Sequence, residues 1–199
     1  MNSIWAEKNL ETIRTLMERS ALYRRALAPI MFFAGVAGTL ATAAGLIFHL
    51  NSPREFSGLW LGTAIIVVIA ALLIARRQAL KDEEGFWSPP TRRVAQALAP
   101  ALAAGLIAGF LVAWLGDLTP FVWALFYGCA LHSAGFFMSR GVRLFGWIYI
   151  GMAPCVLLLI SIIRPVSLSP HWFMGFFFGA LHLLYGGYLY FTEKGMKAE

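Results

Sequence analysis

The sequence predicts an all-α fold: a polytopic membrane helix bundle of six transmembrane helices, arranged as three hairpins, with an N-terminal cytoplasmic amphipathic helix. Three observations carry that prediction. Of 199 residues, 59% are hydrophobic and only 13% charged, whereas soluble domains carry about 25% charged residues. Six stretches free of Asp, Glu, Lys and Arg have about the length, roughly 20 residues, that a helix needs to cross a ~30 Å hydrocarbon core. The basic residues fall almost entirely into every second connection.

Residues 1–25 form the first predicted unit. Ala6, Leu10, Ile13, Met17 and Ala21 recur at spacings of three and four and give an apolar stripe, while Glu7, Lys8, Glu11, Arg14, Glu18 and Arg19 occupy the other faces. These charges also break the early apolar run that a secretory signal needs, so insertion is expected to begin with the first span. The stripe suits a helix lying in the interface, with Trp5 at the headgroup level; the alternative is a docking helix for a cytosolic partner.

Residues 26–199 form the second unit, a transmembrane domain with spans at 27–50, 56–75, 94–115, 121–138, 144–163 and 171–191. Too little chain lies between them to build a second core. Ser52-Pro53, Thr119-Pro120 and Ser169-Pro170 each introduce an even-numbered span, where a hydroxyl can cap the helix and proline suits its first position. Ala28-Pro29, Ala99-Pro100 and Ala153-Pro154 lie in the odd-numbered spans and predict kinks. This alternation defines the three hairpins, and the last two agree further in Ala130-Leu131-His132 and Ala180-Leu181-His182. Parallel repeats of this kind occur in some transporters and also follow from plain duplication.

The connections fix the expected orientation. Fourteen of the sixteen basic residues lie before the first span, after the second, after the fourth or after the sixth, leaving only Arg54 and Arg164 for the other side. By the positive-inside rule both termini are cytoplasmic. The net charge of +6 is therefore read as topology and not as a nucleic-acid footprint. Trp60, Trp114, Trp123 and Trp172 fall at predicted outer ends, as an aromatic belt would place them. Residues 78–93 make the one sizeable cytoplasmic loop, with Phe86 and Trp87 beside Pro89-Pro90 at the lipid interface or available for docking.

Chemistry-bearing residues are few. All ten acidic residues lie outside the spans, so a carboxylate-driven carrier or pump is not expected. No phosphate loop, metal-binding Cys/His cluster or nucleophile elbow occurs, and the protein is read as non-enzymatic. Cys129 and Cys155 fall within spans and behave as small hydrophobes.

The candidate ligand-binding residues are His132 and His182, each twelve residues after its loop proline and so about 18 Å along its helix. Equal depth, with glycines nearby, predicts that both turn inward and face each other or a shared cavity. The imidazoles then serve as hydrogen-bonding glue between helices, as axial ligands of a haem, or as a polar grip on a quinone or other apolar ligand. His171 lies about three turns before His182 on nearly the same helix face, and His49 ends the first span at that outer level. Four histidines at two depths invite a two-haem model, to which the alternative is that the two outer ones simply face water. Gly105-x-x-x-Gly109 and Gly175-x-x-x-Gly179 permit close backbone approach within the bundle or between two copies.

The segments 17–25 and 86–93 resemble those of small, uncharacterised bacterial inner-membrane proteins with six transmembrane helices. The resemblance implies a bacterial plasma-membrane location and brings no activity or site residue with it. Two functional readings follow from the sequence: a regulatory or interaction module, or a small transporter or carrier of an apolar ligand. The expected partners are the lipid bilayer and either a second copy or another membrane or cytosolic protein.

Overall fold

The computed structural model describes residues 26–81, 83, 86–113, 118–163 and 169–195. Among these every regular element is helical. The helices are α1 (Ala26–Ile47), α2 (Pro53–Lys81), α3 (Pro89–Val112), α4 (Thr119–Ala134), α5 (Arg140–Ile163) and a last helix in three continuous parts. Those parts are α6 (Pro170–Met174), a π-helical stretch (Gly175–Ala180) and α7 (Leu181–Gly195). Among the described residues five helices are long and apolar enough to cross a membrane: α1, α2, α3, α5 and the α6–α7 helix. With 16 residues, α4 spans about 24 Å and packs between α3 and α5. The predicted amphipathic helix at 1–25 lies outside the described residues.

Two of the three Ser/Thr-Pro signals act as read. Ser52 and Glu55 form a capping box, the Ser52 hydroxyl lying 2.6 Å from the Glu55 carboxylate and accepting from the Glu55 N–H at 3.3 Å. Ser169 accepts from the N–H of His171 at 3.4 Å. Thr119 differs: Leu118 holds the N-cap position, and the Thr119 hydroxyl donates instead to the Gly109 carbonyl at 3.3 Å, tying α4 to α3. The 78–93 loop is also shorter than expected. α2 continues to Lys81, and α3 begins at Pro89, because prolines at the first helical positions lack only an N–H that would be unsatisfied there. Pro100 and Pro154 lie inside α3 and α5.

The core forms where glycines let helices touch. Gly175 and Gly179 seat Thr42 and Thr39 of α1, whose hydroxyls donate to their own helix at Gly38 and Gly35, 2.8 Å in both cases. Gly105 and Gly109 seat Phe126 and Trp123 of α4. Both small-residue pairs therefore pack within this bundle. Gly128 and Gly146 bring α4 against α5, beside a buried cluster that includes Val142, Phe145, Tyr149 and Phe177.

α2 is the exception. Ile65, Ile66, Ile69, Leu72 and Leu73 lie along one broad face and are all more than half exposed. Such a surface is stable against lipid and not against water. Its other face carries Trp60, Thr63, Ala64 and Val67 at helical spacing, and this face is turned toward the cavity described next.

Candidate ligand cavity

A cavity of about 320 Å³ lies among α1, α2, α3, α4 and the α6–α7 helix. Each element contributes side chains one helical turn apart: Ala34 and Gly38, Trp60 to Val68, Leu102 to Leu106, Trp123 to Tyr127, and Met174, Phe178 and His182. Periodicity alone thus aims five helices at one space. Val68, Leu102 and Leu106 sit on its wall yet are 55%, 41% and 42% exposed, so the space opens sideways between α2 and α3. The wall is almost wholly apolar, and no Asp, Glu, Lys or Arg lines it among the described residues.

Its polar pole is built on His182. The ring is 1% exposed and stacks on Phe178, with Phe145 edge-on at 5.5 Å. Nδ1 lies 3.1 Å from the Phe177 carbonyl, which can only accept, so in a neutral ring the proton sits on Nδ1. The Nε2 lone pair then accepts from the Tyr127 hydroxyl at 2.8 Å. Tyr149, wholly buried, also donates its hydroxyl to the Phe177 carbonyl and lies 3.1 Å from Nδ1. The carbonyl that gathers these groups belongs to the π-helical stretch, where the Leu181 N–H bonds five residues back to Phe176. A π-turn of this kind re-aims local groups and recurs at functional sites.

His171 organises a second buried contact. Its Nε2 donates to the Leu50 carbonyl at 2.9 Å, which leaves Nδ1 to accept from the Trp60 indole N–H at 3.2 Å. His49 adopts a φ of 52° in the turn after α1, and Gly45 clears space for the His171 imidazole, since a Cβ there would overlap that ring. This corrects two expectations. His171 is fully buried and does not face water, and Trp60 is a core residue at 4% exposure, not part of the aromatic belt. His49 and Trp172 do lie exposed.

The structure does not bring His132 and His182 together. His182 lines the cavity, whereas His132 packs edge-on to Phe136 and Trp147, both exposed, and its Nδ1 has no hydrogen-bond partner. The matching register after Pro120 and Pro170 was legible in the sequence; rotation about the helix axis was not. The histidines do not fit axial ligation of a haem, which requires a free imidazole lone pair. Those of His171 and His182 are taken by Trp60 and Tyr127, and His132 stands off the cavity wall. Among the described residues no three His, Cys, Asp or Glu side chains cluster as a metal site.

Sequence reasoning missed Tyr149 altogether and gave Tyr127 no role at the site. Both hydroxyls instead serve His182 and the π-helical stretch. The available signal was the Gly175–Gly179 spacing, which marks a backbone open to close approach. No family model, curated protein or solved structure matches the chain.

Proposed function

We propose that this protein is a non-enzymatic, multi-pass protein of the bacterial plasma membrane that binds an apolar molecule drawn sideways from the bilayer into the cavity between α2 and α3. The carrying observation is the apolar cavity of about 320 Å³ with an exposed aliphatic mouth and a buried hydrogen-bonded pole. That volume is at the lower end for small-molecule sites, which are mostly apolar with a few placed polar groups. A carrier is favoured over a closed module because α2 and α3 leave this space instead of sealing it.

In this reading α4 completes six crossings as three hairpins, and both termini are cytoplasmic. The division of basic residues supports an even number of spans, with the poor side holding only Arg54 and Arg164. The bacterial location rests on the resemblance of segments 17–25 and 86–93. An interaction surface on the cytoplasmic side remains a second reading, favoured by Trp87, which is 61% exposed in the short turn before α3.

The binding reading is tested by native mass spectrometry of the full chain extracted in mild detergent. Wild-type protein is expected to retain an apolar adduct, and Ala64→Phe/Leu106→Phe, which fills the cavity from both lips, to lose it. Equal adducts on both proteins overturn the proposal.

A further inference from the structure

The cavity's polar pole has a hydrogen-bonding sense, and that sense selects a ligand class. Resting on the binding reading above, we infer that the site takes a neutral chain amphiphile headed by a hydroxyl, a long-chain alcohol, which donates its proton to the Tyr127–His182 pair.

The argument is a proton count. The Phe177 carbonyl can only accept, so the single proton of a neutral His182 ring is on Nδ1, 3.1 Å from that oxygen. Nε2 must accept, and the Tyr127 hydroxyl, 2.8 Å away, must donate to it. The phenolic oxygen of Tyr127 then keeps only acceptor capacity. Thr63 behaves in the same way: its hydroxyl proton goes to the Leu59 carbonyl at 2.8 Å. The Trp60 indole N–H is spent on His171. The Trp123 indole nitrogen is without a partner but is packed against Gly109, where a Cβ would overlap it, so the α3 backbone covers this donor. The polar side chains of the wall therefore offer acceptors.

An occupant that only accepts, such as an ether, ester or quinone carbonyl, meets no donor unless the Tyr127–His182 bond breaks. A charged headgroup meets no counter-charge, since no ionised side chain lines the space among the described residues. A hydroxyl matches both conditions: it is neutral and supplies the missing proton. The mouth formed by Val68, Leu102 and Leu106 leaves the aliphatic chain in lipid.

The test uses full-length protein in phosphatidylcholine nanodiscs and two photoreactive probes: hexadecanol carrying a chain diazirine, and its methyl ether. Labelling is read by intact mass. One neutral hydrogen bond predicts about fivefold more labelling by the alcohol. Ala64→Phe/Leu106→Phe should bring the alcohol down to the level of the ether. Tyr127→Phe uncovers the Nε2 lone pair and should keep the preference, whereas Tyr127→Phe/His182→Leu should abolish it. Equal labelling by the two probes, with both reduced by the cavity-filling variant, overturns the hydroxyl preference and leaves the binding site standing. Labelling that the cavity-filling variant does not change overturns the site, and the preference with it.

Discussion

Tyr149 and His182 converge on one backbone oxygen, and this makes their side chains unequal to the other polar residues of the bundle. In hydrocarbon the alternative to such a bond is an unsatisfied group, although measured side-chain bonds between membrane helices average about 0.6 kcal/mol and reach about 1.7 kcal/mol. Tyr149→Phe is expected to lower stability by about 1 kcal/mol, read as a lower midpoint in thermal unfolding in detergent. His132→Leu should be neutral or mildly stabilising, because Nδ1 of His132 has no partner to lose. A His132→Leu loss as large as that of Tyr149→Phe would show that His132 carries a bond the structure does not contain. At this scale the sequence reveals register and residue type but not direction. His132 and His182 occupy the same register after Pro120 and Pro170, yet one ring faces Trp147 and the other the cavity. Trp60 shows the same limit: its distance from the helix end matches an interface residue, while its partner His171 is 111 positions away.

The helices themselves were largely legible, because length and the absence of charge suffice to identify a span. Their ends were less so. α2 overruns its apolar stretch to Lys81, since nothing in Arg76-Arg77-Gln78-Ala79-Leu80 opposes a helix. α4 stops at Ala134, where the chain turns at Gly135 against Arg143 of α5. The π-helical stretch carries no sequence signature beyond its own glycines, Gly175 and Gly179. Glycine contacts separate structural from permissive positions. A Cβ at Gly38 would overlap the Phe178 backbone carbonyl, so Gly38→Ala must push α1 from the α6–α7 helix, at a cost of roughly 1–3 kcal/mol. Gly62 on α2 has nothing within 4 Å of that position, and Gly62→Ala should leave stability unchanged or slightly raised. Thermal unfolding of the two variants side by side checks the contrast, and an equal loss in both would mean that α2 is packed against something.

For the whole molecule, the charge division and the cavity address different questions. The proposed orientation rests on the basic residues, and it predicts that cysteines introduced at Asp82 or Gly195, in a background free of Cys129 and Cys155, are shielded from impermeant reagents in intact cells. Those at Leu118 or Ser167 should react, and the reverse labelling would invert the topology. Replacing Leu10, Ile13 and Met17 with Ser should leave insertion intact if residues 1–25 only rest on the membrane. The cavity was not legible in the sequence, because it arises where α2 and α3 fail to close, and a gap leaves no motif. The most direct test of that opening is to lock it. In the same background, Val68→Cys and Leu102→Cys place thiols on opposite lips, to be joined by a short reducible bis-maleimide. Lateral entry predicts that the joined protein takes up little of the diazirine-bearing hexadecanol and regains uptake on reduction. Undiminished uptake by the joined protein would contradict entry between α2 and α3.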